Sequence, residues 1–392
     1  MKLFIYLYYC LLLFSWSFGS TQQEIKIIGP NNSVLGTIDY IEENRYYFSL
    51  NDFSNVLLNK NFINKDLQKI VFSFGDYKIK VTGNVAFVII NDKSYQLKNS
   101  VIYKKGIFYA PIDDFLSLLN KKTGSQYSIN YSSLSIQNEL ESKNPLVNPV
   151  DLNEEKQKWK FDTIIIDPGH GGKDPGTMGR RGTKEKDIAL DITKRVGMLL
   201  EKNTKLKVIY TRHEDVFIPL WKRTKIANES NGKMFLSIHL NGNPNKTAYG
   251  FETYLLRPGK TEDAIEVAHR ENEVIKLEDR SKNKYRDLSG ENLIIATMAQ
   301  SIYMKESEEL AAVIQEEMAK KVKSKNRGVK QAGFHVLIDA SMPNVLIEAG
   351  YLTNSNEERN LRKSSYRQTI ANAIYRAIVK FRYSREQYLS EK

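Results

Sequence analysis

A β-branched run, Thr163-Ile164-Ile165-Ile166, breaks at Asp167-Pro168-Gly169 and is followed at once by a histidine, His170. A short apolar run closed by a Pro-Gly break reads as a buried strand, so an imidazole is delivered to the end of a sheet. Further on, Glu185 opens an amphipathic run in which Ile188, Ile192, Val196 and Leu199 recur at roughly helical spacing. A second apolar strand, Met234 to Ile238, ends at His239 and passes into Leu240-Asn241. Two histidines and one carboxylate, each where an element meets a loop, have the make-up of a three-ligand zinc site. The fourth position of such a site stays open, and open sites are catalytic.

What the chain lacks narrows the chemistry further. Cys10 is the only cysteine, and it falls in residues 1–19, where Lys2 precedes a long apolar core that ends in the small residues Ser17 and Gly19. This reads as a secretory signal cleaved near Gly19-Ser20. The alternative is a short membrane anchor, although the apolar stretch 3–16 falls short of the roughly 20 residues that span a bilayer. Without that segment the chain has no thiol, which excludes disulfides, thiolate catalysis and cysteine-based zinc fingers. Only His170, His213, His239, His269 and His335 can offer imidazoles, so carboxylates must complete any metal site. His213 reads as a surface residue, His269 as solvated, and His335 as structural within a strand at 334–337.

The chain's 392 residues suffice for two domains. Residues 24–140 alternate short β-rich runs (25–28, 45–48, 70–74, 77–81, 85–90, 96–97, 107–110) with turns and two helices, Leu50–Leu58 and Ile112–Leu119. Tyr47 to Phe53 and Phe108 to Phe115 share the form aromatic strand, turn, Asp-Phe helix, as in a duplicated unit. Residues 141–160, with two prolines, many charges and no period, read as a linker. From Phe161 strands alternate with helices. Strands are expected at 163–167, 207–212, 234–240, 250–256, 334–337 and 344–349, and helices near 184–202, 219–230, 262–277, 306–324 and 364–383. The expected fold class is therefore α/β, a mostly parallel central sheet flanked by helices and preceded by a smaller β-rich domain. Ligands gather at the carboxyl ends of such strands, where His170, His239 and Glu348 all lie.

Glu348 interrupts the apolar strand Asn344-Val345-Leu346-Ile347 as a lone carboxylate. Zinc on His170, Glu185 and His239 would bring the pKa of its water toward neutrality, and Glu348 is the group to carry that water's proton to a leaving nitrogen. The residues alone thus imply metal-assisted amide hydrolysis. The net charge of +12, most of it after residue 145, suits an anionic partner such as cell wall or a membrane surface, or is solubility charge. No nucleic-acid motif is visible, and no nucleic-acid partner is expected.

DPGHGGKDPG, then Glu185, then SIHLN, then VLIEAGYLTN, with TRHEDVFIPLWKRTKIAN between, resembles the catalytic domain of the third family of zinc-dependent N-acetylmuramoyl-L-alanine amidases. The likeness runs from about Thr163 to Phe381. It implies zinc on His170, Glu185 and His239, and Glu348 as the catalytic acid. The implied substrate is peptidoglycan, cut between N-acetylmuramic acid and L-alanine of the stem peptide in wall remodelling or daughter-cell separation. Ala349-Gly350-Tyr351 departs conservatively from the family pattern. Residues 258–305 form an insertion that is similar, from Val267 to Glu273, to the segment that covers the zinc in division-associated members until a partner displaces it. That resemblance implies autoinhibition by a glutamate such as Glu271, Glu273 or Glu291, with an activator protein to relieve it; a substrate-groove wall is the alternative.

Residues 24–140 resemble the copper amine oxidase N-terminal-like domain of secreted wall proteins, which implies a wall-binding or positioning role. No histidine lies there, and no metal is expected in it. The expected organisation is a signal peptide (1–19), a β-rich domain (24–140), a linker (141–160) and a catalytic domain (161–384). The location is exported, in a periplasm or cell envelope, with membrane contact only through the signal. Two other functions fit the residues. A zinc exopeptidase would act on free peptides, and a wall-binding protein that has lost catalysis would show a replaced ligand or acid, which this chain does not. Arg180, Arg181 and Lys184 read as solvated charge or as contacts for stem-peptide carboxylates, and Arg223 and Asn228 as salt bridges and caps, or as residues that orient the loop near the site.

Overall fold

The computed structural model describes residues 23–58, 61–65, 68–91, 93–138, 160–278 and 290–390. The expected signal peptide and nearly all of the expected linker lie outside these residues.

The amino-terminal region forms two sheets. A seven-stranded sheet runs in the order Tyr127–Asn130, Ser135–Asn138, Glu24–Ile28, Val34–Glu42, Tyr46–Ser49, Ile107–Pro111, Ile102–Lys104. A five-stranded meander joins Asn61–Asn64, Lys69–Phe74, Tyr77–Thr82, Phe87–Ile90 and Lys93–Gln96. The two strand-helix units meet as partners. Strands Tyr46–Ser49 and Ile107–Pro111 pair antiparallel with Phe48 opposite Ala110. Helices Leu50–Leu58 and Ile112–Thr123 follow these strands and bring Phe53 and Phe115 against Phe48, with ring centroids 5.0 to 6.4 Å apart in edge-on contacts. Asn51 ties the units together, its Oδ1 accepting from the Phe108 amide at 3.0 Å.

The carboxyl-terminal region is built on one six-stranded sheet in the order Lys207–Tyr210, Thr163–Pro168, Phe235–Asn241, Asn344–Tyr351, Phe251–Leu256, Asn326–Ala332. Its first four strands are parallel, Phe251–Leu256 runs antiparallel to Asn344–Tyr351, and the edge strand is parallel to Phe251–Leu256. Strand residues point alternately to opposite faces. Ile164, Ile166, Leu236 and Ile238 therefore pack with helices Glu185–Asn203, Gly290–Lys321 and Ser364–Ser390. Ile165 and Phe235 pack instead with Leu220–Glu229 and Glu262–Asn272. Both faces are covered, which is why the strands read as unbroken apolar runs. The register sets His239 beside Glu348, and Pro168, two residues before His170, beside Ile238.

Four expectations need correction. Residues 334–337 are no strand: His335–Leu337 is a single 3-10 turn, and the sixth strand is Asn326–Ala332, a polar edge segment with no apolar period. The helix expected from 306 starts at Gly290. The helix expected over 262–277 ends at Asn272, and a 3-10 turn, Glu273–Leu277, follows. The short helix Ser355–Leu361, capped by the Asn354 side chain, was not expected. Among the described residues no helix is long and apolar enough to cross a membrane.

Candidate metal centre

The loop after Thr163–Pro168 turns back sharply, and His170 sits in the left-handed region at φ 59°. A β-carbon there is strained, so something must hold it. Two buried arginines do. Arg212 donates to the carbonyls of Pro168, Gly169 and Lys186 at 2.7 to 3.1 Å. Arg223 donates to the carbonyls of Pro168 and His170 at 2.8 and 2.9 Å. Arg223 also pairs at 2.8 Å with the fully buried Asp167, whose other oxygen accepts from Ser237 Oγ at 2.7 Å. Guanidinium groups suit this task because their fixed fork serves several carbonyls at once. Gly169 and Gly176 complete the turn: a β-carbon at the first would lie 2.4 Å from the His239 ring, and at the second 2.5 Å from the His170 ring.

The loop brings together the residues that the sequence singled out. Glu185, at the first turn of its helix and wholly buried, places Oε1 3.0 Å from both His170 Nε2 and His239 Nδ1. Its orientation is set by two backbone amides, Thr177 to Oε2 at 2.8 Å and Leu240 to Oε1 at 2.9 Å. The two imidazole rings lie 4.8 Å apart between centroids. His170 Nδ1 donates to Asp174 at 2.7 Å, which aims Nε2 inward. A carboxylate behind an imidazole is the usual support of a metal-binding histidine.

A fourth group closes the cluster. Glu271, from the last turn of Glu262–Asn272, places Oε2 3.1 Å from His170 Nε2 and 3.0 Å from His239 Nδ1. One ligand atom from each of His170, Glu185, His239 and Glu271 lies within 4.8 Å of the others, all four residues being buried. A tetrahedral ion with nitrogen and oxygen ligands at about 2.0–2.1 Å needs those atoms roughly 3.3 Å apart, close to the spacings of 3.0–3.1 Å found here. The donor set therefore fits a divalent metal.

The electrostatics agree. Burial alone would lower the His239 pKa, but the Glu271 charge and the bonds to Glu185 and Glu271 outweigh it and raise it to about 9. His170 is likewise raised, its burial overcome by Glu185, Glu271 and Asp174. Burial and Glu185 push Glu271 up, yet the two imidazoles pull it down to about 2. Such a cluster concentrates negative charge around its imidazoles, and a dication would take the place of their protons.

Glu348 stands apart from this pairing. It is fully buried, and neither carboxylate oxygen has a hydrogen-bond partner among the described residues. Burial, then the charges of Glu271 and Glu185, raise its pKa well above the usual carboxylate range.

The segment bearing Glu271 is fastened along its length. Ala264, Val267, Ala268 and Val274 are buried against Phe334, Leu337 and Leu346. Arg270 donates to Asn241 Oδ1 at 2.8 Å, Asn272 bonds Gly333 and His335, and Lys173 reaches the Leu277 carbonyl. Glu278 Oε1 accepts from the Leu220 amide at 3.0 Å, at the start of the helix that carries Arg223.

The other candidates fall elsewhere. Glu273 is exposed and pairs with Lys276, and the Glu291 side chain lies outside the described residues. His213 and His269 are exposed and His335 is half-buried. Asn228 accepts from the Ser341 amide and donates to the Asp339 carbonyl, tying loops together as a structural residue would. Arg180, Arg181 and Lys184 are exposed on a turn whose Arg181 amide donates to Glu358. Sequence reasoning gave no role to Asp174 or Arg212; the signal for Asp174 was its place four residues after His170 in the same tight loop.

An α/β sheet that gathers four buried side chains able to hold a metal, and a bare carboxylate, at the carboxyl ends of its strands has the arrangement that metal-assisted hydrolysis requires. The N-acetylmuramoyl-L-alanine amidase family model (Amidase_3) matches residues 164–380, and the chain belongs to that family. AmiA of Escherichia coli K12, an N-acetylmuramoyl-L-alanine amidase, is 34% identical over 220 residues, 56% of this chain and 75% of that protein. AmiC of Escherichia coli O6:H1 is 33% identical over 219 residues, so the match spans about half of AmiC (51%) and 55% of this chain. The solved CwlD amidase of Clostridioides difficile, in complex with the GerS lipoprotein, is 32% identical, covering 56% of this chain and 98% of that one, with a TM-score of 0.42. The β-rich region 24–140 lies outside the family match.

Proposed function

We propose that this chain is a zinc-dependent N-acetylmuramoyl-L-alanine amidase, exported to the cell envelope, whose site Glu271 holds closed. The observation that carries the reading is the convergence of the Glu271 carboxylate on both imidazoles, beside a buried and unpartnered Glu348. His170, Glu185 and His239 would hold the ion. When bound, zinc acidifies a water and polarises the amide carbonyl.

The chain's own residues do the rest. Glu348, whose pKa burial and then the nearby Glu271 and Glu185 charges raise above the usual carboxylate range, takes a proton from the attacking water as the remaining O–H adds to the carbonyl carbon. As the C–N bond breaks, Glu348 gives that proton to the leaving nitrogen. The lactyl group is left as a carboxylic acid, which passes its proton to the departing L-alanine amine, so the products are a carboxylate and an ammonium group. Asp174, Arg212 and Arg223 hold His170 in place throughout.

Glu271 takes the position that water and substrate need, so its helix must leave for the reaction to run. A protein activator that grips the 262–304 segment serves that end. The basic carboxyl-terminal half suits an anionic wall, and the amino-terminal domain positions the enzyme on it.

The test is metal analysis together with mass spectrometry of digested peptidoglycan. Wild type should hold one zinc, and Glu271→Ala should release stem peptides with free L-alanine amino termini faster than wild type. Glu348→Gln in that background should keep the ion and lose roughly 10²–10⁴-fold in rate. Cleavage of soluble peptides without cleavage of wall would make the chain an exopeptidase. Equal rates for wild type and Glu271→Ala would leave the 258–305 segment as a groove wall.

A further inference from the structure

Asn241 is fully buried at the end of the His239 strand, beyond a register shift that sets it opposite Tyr351. Its amide has one possible orientation. The Nδ2 group donates at 2.6 Å to Glu252, a buried carboxylate that can only accept, and Oδ1 accepts at 2.8 Å from Arg270, a guanidinium that can only donate. Glu252 is itself immobilised, accepting from the hydroxyls of Tyr254 and Tyr351 at 2.9 Å and pairing with Arg327 and Lys330. It lies opposite Glu348 across the antiparallel pair. A rigid polar hub thus points a single acceptor, Asn241 Oδ1, toward the ground occupied by the Arg270-Glu271 pair.

From this geometry we infer that Asn241 is a substrate-binding residue, and that Arg270 fills its place in the closed form. The inference rests on the reading of Glu271 as a plug. When the helix undocks, a buried acceptor loses its donor, and a buried polar group without a partner is costly. The substrate that enters is a peptide, whose backbone supplies N–H donors and no charge to repel Glu348. The donor that Oδ1 takes is the amide N–H next to the scissile bond on the peptide side, between L-alanine and the following residue. The plug then mimics the substrate twice: Glu271 stands where the reacting carbonyl and water must sit, and Arg270 stands in for the peptide N–H.

The test uses the full chain as the Arg270→Ala/Glu271→Ala variant, loaded with zinc, with Glu348→Gln added where binding alone is measured. Two probes are compared: N-acetylmuramoyl-L-alanyl-D-glutamate, and the same compound N-methylated at the alanyl-glutamate amide. N-methylation should weaken binding and raise KM about tenfold, the worth of one hydrogen bond to a buried acceptor, with kcat little changed. Adding Asn241→Ala should erase that ratio, because the two changes remove the same bond, while the zinc content stays at one. A ratio near one before Asn241 is altered would overturn the inference without any appeal to the folding of an Asn241 variant. A tenfold ratio that survives Asn241→Ala would overturn it too, placing the N–H on another acceptor. If the starting variant is no faster than wild type, the plug reading fails by itself, and the probe ratio still decides the role of Asn241.

Discussion

At the scale of single residues, the centre depends on side chains that touch no metal. Asp174 holds the His170 ring by its Nδ1. Asp174→Ala should therefore lower metal affinity roughly 10–100-fold, as the loss of such supports does elsewhere, measured by competition with a chromogenic chelator. Unchanged affinity would show that the loop alone aims the ring. The residues that the structure brings together were legible in the sequence because each one borders a strongly patterned run, His170 and His239 after apolar strands and Glu185 at the head of an amphipathic helix. Asp174 was not, since an aspartate in a Gly-rich loop reads equally well as a turn former. Glu271 emerged only as one of three glutamates. Helical spacing puts Val267 and Ala268 on the packed face, but no local pattern says which acid next to that face meets two imidazoles across the fold.

At the scale of elements, the decisive contact is between the Leu220–Glu229 helix and the His170 loop. Arg223 joins Asp167 to three backbone carbonyls, those of Pro168, His170 and Ile218. Its removal leaves Asp167 buried with only hydroxyl donors, a situation that costs about 3–5 kcal/mol for a broken buried pair. Arg223→Ala should lower Tm and, in the protein that remains folded, weaken metal binding, because His170 would no longer be held at positive φ. A Tm within a degree of wild type would refute this. Elements with strong apolar period were predictable, and the missed strands share one cause. Asn326–Ala332 is an edge strand of polar residues, and Val34–Glu42 and Tyr127–Asn130 are likewise half exposed. Strands of this kind are specified by their partners more than by their own composition.

At the scale of the whole molecule, the cluster couples metal, pH and stability. His170 and His239 are raised above their ordinary values in the metal-free fold, His239 to about 9. A group raised in this way contributes fully below its unfolded value, near 6.5, and its contribution is lost as pH climbs through the folded value. Chelator-treated protein should therefore lose thermal stability between about pH 6.5 and about 9, by an amount on the order of a few kcal/mol. The zinc-loaded protein should not, since the ion has replaced the protons. A chelated sample with a flat Tm over that window would contradict the paired-charge picture of the centre.

Glu278 would give the proposed closed state one more property. Its carboxylate accepts from the amide that opens the Leu220–Glu229 helix, the same helix that aims His170 through Arg223. Glu278→Ala should cost about 1 kcal/mol, as lost helix caps do, and speed hydrogen exchange in residues 220–229. On the proposed function, the brake would thus also be a splint. Whatever drew it out of the cleft would untie the start of the rod that braces the imidazole, so the working form would be the more perishable of the two, and an unaccompanied awakened enzyme would carry its own timer.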